Sequence, residues 1–276
     1  MTVKIHPFPG REAFVLENDD LTTKPYQVAL VSGTFASQLA ISLYCLREIF
    51  SSAGSFSDPL SLLSPFVVTA SSLAFTYILA DLGSGIFHWS VDNYGNGRTP
   101  VLGNIIAAFQ GHHTAPWTIT ERGFCNNVHK LCYPFGPILP LASLLLLPSH
   151  PLFTTCVSFF CFTEIMSQEL HKWSHMPPSE APALANALQK LGLTIPRQQH
   201  NKHHTLPFSG NYCIVSGHNN GWVDGIGLCR MLERAVYEVN GVESNSWKLD
   251  EELKERTLRG EYRPVKCKRQ TDESGV

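Results

Sequence analysis

From Leu131 to Thr163 the chain runs for 33 residues without an Asp, Glu, Lys or Arg. A charge-free segment of that length has no means of solvating an outward face, so it must be covered by protein or by lipid. As one helix it would be about 50 Å long, well beyond a hydrocarbon core of about 30 Å. Pro148, Ser149, His150 and Pro151 interrupt it near its middle. Two spans joined by a tight turn are therefore expected, at residues 131–147 and 152–170. Pro134, Pro137 and Pro140 weaken the start of the first, whose opening turns are expected to be irregular or interfacial.

Two further apolar stretches precede it. Residues 28–46 lie between Lys24 and Arg47, and residues 62–80 follow Asp58 and Pro59 and stop at Asp81; each is about one bilayer core in length. Four crossings put the N-terminus, residues 81–130 and everything after 170 on one face. Of the 21 Lys and Arg, only Arg47 then falls in an outer turn, the bias that places the common face on the cytosolic side or its organellar equivalent. The expected fold is all-α: an integral membrane protein with about four transmembrane helices. It divides into a polar segment over 1–25, a membrane domain over 26–247 and a charged peripheral tail over 248–276. A soluble helical bundle is the alternative.

Composition removes other classes. A net charge of -2 gives no basic field for nucleic acid. The eight cysteines form no CxxC pair and are expected to be reduced, buried thiols rather than a disulfide framework or a thiolate zinc site. The first 25 residues have no apolar h-region and carry Glu12, Glu17, Asp19 and Asp20, unlike a signal or transit peptide. Targeting is expected either through the spans or through a piece outside this sequence. Leu184, Leu188 and Leu191 ahead of Gly192, and residues 228–239 ahead of Gly241, predict two amphipathic helices. Beyond Asp250 the charge density and lost periodicity predict a tail without regular structure.

The chemistry sits in histidines. Twelve are present, and, His6 and His218 apart, nine are gathered on the common face: His88, His112, His113, His129, His171, His175, His200, His203 and His204. His88 and Asp92, like His171 and His175, are four residues apart, and on a helix such pairs stack on one side. In the HxxHH run His200 shares a face with both His203 and His204, while these two diverge enough to reach different ions. The pair His112 and His113 adds a fourth cluster. A lone doublet of this kind is ordinarily surface or core; four on one face indicate metal.

Eight imidazoles, His88, His112, His113, His171, His175, His200, His203 and His204, exceed what one ion needs and suffice for two. HExxH is absent and zinc normally takes four ligands. A nitrogen-rich site without thiolates suits iron among several transition metals, and iron can use O2 where zinc cannot change valence. Two irons sharing O2 can oxidise an unactivated C–H bond, and a membrane places the protein where lipid chains already are.

The segments DLGSGIFHWSVDNYG, AFQGHHTAPWTITERGFCNN, HKWSHM, PRQQHNKHH and NYCIVSG, spread over residues 81–247, resemble the membrane histidine-box lipid desaturases of the fatty acid desaturase 4 and plasmanylethanolamine desaturase type. The resemblance implies a di-iron centre held by the eight motif histidines, in a cap on the side of the two termini. It implies O2 as co-substrate, a membrane phospholipid as substrate and a cytochrome b5-like or ferredoxin-like protein as electron donor. Within the family the motifs look closest to the plant plastid branch, which implies a trans double bond near the carboxyl end of palmitate on phosphatidylglycerol, in a plastid or thylakoid membrane. The alternatives are a plasmanylethanolamine desaturase of the endoplasmic reticulum that forms the plasmalogen vinyl ether, a di-iron lipid hydroxylase, and a non-enzymatic membrane metal carrier.

Other residues have expected parts. His129 is an additional ligand or an interface residue, and Asp92 orients a ligand imidazole through its other nitrogen or joins the ligands. His218 is structural, and His6 and His150 are set aside. Trp89, Trp117 and Trp173 suit the headgroup level. Arg122, Lys130, Lys172 and Arg197 are the cations within reach of a lipid phosphate. Glu164, inside the fourth span, is expected to face protein. Asn211 and Asn219 are expected either in turns or at a headgroup.

Overall fold

The computed structural model describes residues 20–52 and 59–263. His6, Asp58 and the last part of the expected tail lie outside the described residues. Among the described residues the chain is all-helical. It begins with α1 (Pro25–Ser51) and α2 (Pro59–Asn93), followed by α3 (Gly103–His112), a 3-10 turn over Pro116–Glu121 and α4 (Phe124–Val128). Then come α5 (Ile138–Leu146), α6 (Pro151–His175), α7 (Ala183–Lys190) and α8 (Arg197–His203), and finally α9 (Asn220–Ile226), α10 (Leu228–Asn240), α11 (Asn245–Leu249) and α12 (Glu251–Leu258).

The long helices bury polar side chains and expose apolar ones. On α1 the inward positions are Gln27, Val31, Thr34, Gln38 and Cys45, spaced by threes and fours as one helix face requires. Leu39 and Leu43 point outward at 60% and 58% exposure. The inner face of α6 carries Thr154, Ser158, Thr163, Glu164, Ser167 and Gln168. Hydrogen bonds hold the faces together: Ser42 Oγ donates to Ser158 Oγ at 2.9 Å, and Ser143 and Thr154 pair through their hydroxyls at 3.0 Å. Interhelical hydroxyls inside and a continuous apolar exterior suit a helix bundle whose solvent is lipid. Helix α1 and residues 63–93 of α2 are long and apolar enough to cross a membrane.

Two expectations are corrected. Residues 131–147 open irregularly, as their prolines predict, but the irregular part runs on to Pro137 and the helix that remains is shorter than a span. A 3-10 turn covers His129–Cys132 and α5 has nine residues, about 14 Å, because Pro134 and Pro137 remove amide donors and Gly136 brings the chain back over the Cys132 carbonyl. The tail is also more ordered than its charge suggests. The Asp250 side chain accepts from the Leu253 amide and caps α12. Lys254 pairs with Glu251 and Glu243, and Thr257 is fully buried.

The bundle has two distinct ends. Ile49 and Ser52 at the close of α1, Ser64 and Pro65 near the start of α2 and Leu152 at the start of α6 line one crevice. At the other end Asn126 Nδ2 donates to the carbonyls of Asp20 and Thr22 ahead of α1. Helix α2 continues 13 residues beyond Ala80 and carries Asp81, His88 and Asp92 towards that end on one rod.

Candidate metal centre

Four elements deliver the eight motif histidines. His88 and Asp92 come from α2, His112 from the last position of α3 and His113 from its cap, His171 and His175 from the last turns of α6, and His200, His203 and His204 from α8 and its cap. They sort into two adjacent groups, His112, His171, His175, His200 and His204 in one and His88, Asp92, His113 and His203 in the other. Rings of the two groups abut, with His113 and His204 centroids at 5.0 Å and His203 and His204 at 5.3 Å.

In the first group the Nε2 atoms converge. That of His175 lies 2.9 Å from His112, 3.1 Å from His171 and 2.9 Å from His200, and His204 lies 3.0 Å from His200. A neutral imidazole has one N–H, so three ring nitrogens around His175 Nε2 cannot all be hydrogen-bonded to it. Their lone pairs face one another, an arrangement that a cation stabilises. For metal–nitrogen bonds of about 2.1 Å the edge between adjacent octahedral ligands is about 3.0 Å, which matches these spacings.

The second group converges on a carboxylate. Asp92 Oδ2 lies 3.0 Å from His113 Nε2, 3.2 Å from His88 Nε2 and 3.3 Å from His203 Nε2. Asp92 thus faces the same nitrogens that a metal would take. The opposite nitrogens are held from behind, with His88 Nδ1–H donating to the Tyr212 carbonyl at 3.0 Å and His203 Nδ1–H to the Gly210 carbonyl at 2.9 Å. These bonds select the tautomer whose Nε2 lone pair points at Asp92. The residues present therefore fit a pair of transition-metal ions.

Burial, followed by the neighbouring His171 and His175, holds the His112 and His200 imidazoles well below the usual range. Burial likewise lowers His204, and brings His203 down to about 4 despite the opposing pull of Asp92. All four are neutral at pH 7, the state that binds metal.

A second carboxylate, Asp81, builds the support and was not singled out by the motif pattern. Its Oδ1 accepts from the amides of Ser216 and Gly217 at 2.7 and 2.8 Å, and its Oδ2 from the backbone and side-chain nitrogens of Asn219, both at 3.0 Å. This fastens the loop after Tyr212 to α2 two turns before His88. Gly85 allows the approach, since a Cβ there would lie 2.4 Å from Cys213 Sγ. The available signal was Asp81-Leu-Gly-Ser-Gly85 at the end of an apolar run, with His88 on the same helix face.

The remaining candidates separate. His129 belongs to neither group; its Nδ1 is 2.8 Å from the Asn126 carbonyl and its Nε2 3.3 Å from Gln27 Nε2. His218 and His150 are exposed. Trp89 is not at a headgroup level but in the core, where its Nε1–H donates to Glu233. Lys172 is engaged by Glu169 and the Arg122 carbonyl. Glu164 is buried against α2 near Gly83. Asn211 lies in irregular chain at φ 56° with its amide donating to Asp224, and Asn219 in the turn before α9, its side chain donating to the Ile78 carbonyl and Asp81. Arg122 and Lys130 line a cavity that reaches His112 and His171.

Over 172 residues, covering 62% of this chain and 52% of the relative, the sequence is 47% identical to fatty acid desaturase 4, chloroplastic, of Arabidopsis thaliana. It is 36% identical over 176 residues to plasmanylethanolamine desaturase of Myxococcus xanthus, covering 62% of each chain. To plasmanylethanolamine desaturase 1 of Mus musculus it is 28% identical over 172 residues, 59% of this chain and 63% of that one. The chain thus spans about half to three-fifths of the length of these relatives. No solved structure matches. The lipid desaturase domain matches residues 77–247, which contain every residue of both donor groups, and the chain belongs to that family.

Proposed function

We propose that this chain is an O2-dependent desaturase of a lipid-linked chain, with one iron held by His112, His171, His175, His200 and His204 and a second by His88, Asp92, His113 and His203. The observation that carries the reading is the pairing of two abutting, unlike donor groups at one end of a bundle with an apolar exterior. Bound irons would supply activation of O2, which takes two hydrogens from adjacent carbons, with two electrons and two protons from outside, and leaves as two waters. The chain's own residues do the rest. Tyr212 and Gly210 carbonyls hold His88 and His203 in the ligating tautomer, and Phe109 and Ile105 close the neighbouring cavity with apolar surface.

Among lipid substrates the reading favours a phospholipid acyl chain desaturated near its carboxyl end, as in a trans double bond in palmitate of phosphatidylglycerol. It is supported by the 47% identity to the chloroplast relative and by Arg122 and Lys130 on the cavity, which suit an anionic headgroup. A plasmanylethanolamine desaturase is the second reading, supported by the bacterial relative. The electron donor is a cytochrome b5-like or ferredoxin-like protein, and the membrane that of a plastid or the endoplasmic reticulum accordingly. We assign four crossings, with residues 131–147, of which α5 is only the second half, and α6 forming the second pair and the crevice at Ser52 and Leu152 on the outer side.

Lipid analysis of cells with and without the chain, reading acyl and ether double bonds together, tests the substrate. A new unsaturated acyl species supports the first reading and a vinyl ether the second. A hydroxylated lipid would make the enzyme a hydroxylase, and unchanged lipids with bound metal would make it a carrier. Protein made with adequate iron should hold close to two irons per chain; one zinc and no iron would overturn the di-iron assignment.

A further inference from the structure

Two short segments on the donor-group side turn apolar side chains outward where the apolar part of α2 ends. In α7 the repeat of Leu184, Leu188 and Leu191 lies on one helical face. The protein does not use that face as core: Leu184 and Leu191 are 62% and 72% exposed, and α7 rests on its neighbours through fully buried Ala185. Gly192, at φ 70°, ends the helix and brings Leu193, also exposed, alongside. In α9 Trp222 and Ile226 are exposed in the same way.

Both segments are fastened to α2 at one level. The Tyr77 hydroxyl donates to the Leu193 carbonyl, and Asn219, just ahead of α9, donates from Nδ2 to the Ile78 carbonyl at 2.9 Å and to Asp81 at 3.0 Å. They also adjoin each other, since the Ile195 amide donates to the Val215 carbonyl at 2.9 Å and a Cβ on Gly192 would lie 3.9 Å from His218. Phe75, Ile78 and Leu79 of α2 are themselves exposed. The outward apolar surface of α7 and α9 therefore continues that of α2, at the last turn before Asp81.

Contiguous exposed apolar surface marks an interaction site, and here the chemistry selects a bilayer over a protein partner. Between residues 181 and 196 Lys190 is the only charge, and a lysine at a helix end reaches water along its own stem. The one charge of α9, Asp224, accepts from the Asn211 amide. Trp222 keeps its ring outside while its Nε1–H donates to Asn219 Oδ1 at 2.7 Å, as suits a tryptophan at a membrane–water boundary.

Resting on the reading of the α2 exterior as lipid-facing, we propose that α7, Leu193 and α9 form an interfacial skirt lying in the headgroup–acyl boundary of the leaflet on the donor-group side. The skirt sets the height of the metal centre. His88 stands ten residues beyond Ile78 on the same helix, about 15 Å along its axis, and α7 lies in the connection between His175 and His200. The donor groups are thereby held outside the acyl layer, and a lipid chain reaches them by entering the protein.

p-Benzoylphenylalanine placed singly at Leu184, Leu191 or Trp222 reports what each position touches. The full chain is reconstituted in phosphatidylcholine vesicles and irradiated, and peptides that carry lipid are quantified by mass spectrometry. Exposed Phe75 on α2 and exposed Glu252 on α12 serve as bilayer and water references. Labelling at all three positions should approach that at Phe75 and exceed that at Glu252 by about tenfold or more. If any of the three is labelled no more than Glu252 while Phe75 is labelled, or cross-links instead to a second copy of the chain or to another protein, the proposal is overturned. Lipid on Leu191 without lipid on Phe75 leaves the skirt standing and overturns the spanning reading of α2 instead; lipid on neither overturns both.

Discussion

The two donor groups are neighbours, yet they are built on different principles. The five-imidazole group is carried by rods: His171 and His175 by the end of α6, His200 and His204 by α8, His112 by α3. The outer nitrogens of His171, His200 and His204 are buried without partners among the described residues. The Asp92 group is held by a loop, because the carbonyls of Gly210 and Tyr212 fix two of its three imidazoles and Asp81 fixes the loop. A divalent ion would keep both charges among five neutral donors and lose one to Asp92. One chain thus offers two ions unlike electrostatic surroundings a few ångströms apart, which matters wherever the two must share electrons unequally.

Removing a donor from the middle of the rod-held group is the harshest test of that division. His175→Ala takes away the nitrogen that contacts three others, and should abolish desaturation and cut bound iron from about two per chain to about one while the protein still inserts. Exposed His218→Ala should keep most activity and both irons. Equal loss in the two variants, in folded protein, would mean that the groups are not separate units.

Asp92→Asn probes the second group with little change of shape. It should lower iron to about one per chain, leave the five-imidazole ion in place, and reduce activity by roughly a hundredfold, the upper end of what supporting changes at metal sites cost. Asp92→Glu should recover part of the iron. Retention of two irons in Asp92→Asn would return Asp92 to the orienting part first expected of it.

Much of this site was legible in the sequence, for a physical reason. Histidines recur at helical spacings, and adjacent residues on a helix diverge by about 100°, so His203 and His204 were expected to serve two ions; they do fall in different groups, as do His112 and His113. The partition itself was not legible, since it depends on how α2, α3, α6 and α8 approach. Asp81 was passed over because its partners lie 135 to 138 residues away along the chain. In the fold, α1 and α2 followed from apolar length. The shortness of α5 lay in prolines weighed too lightly against 33 uncharged residues, and α12 was missed because a helix supported by Asp250 and by charge pairs carries no apolar stripe.

The dependence of the second group on its loop gives a milder test. Asp81→Asn keeps the size of the side chain but turns one acceptor atom into a donor facing backbone amides. A clash of donors at a buried site costs about 1–3 kcal/mol. The expected result is about a tenfold loss of activity, with the Asp92 group losing its iron in most but not all chains and the five-imidazole ion retained. Equal drainage of both ions would show that the loop supports the rods as well.

The smallest effect belongs to His129, which lies in neither donor group. Its Nδ1–H donates to the Asn126 carbonyl, its Nε2 faces Gln27 and its ring meets Tyr26 edge-on at 6.0 Å. Those contacts tie the start of α1 to the turn after α4, at a distance from the donors. His129→Ala should therefore keep two irons and activity within about twofold of wild type, while thermal unfolding shifts down by the equivalent of roughly 1 kcal/mol for the lost hydrogen bonds. Iron analysis and a melting curve on the same preparation separate the cases. If iron falls with stability little changed, His129 reaches the centre in the metal-bound protein, and the Asp92 group, which has four donors against five, is where its nitrogen would be needed.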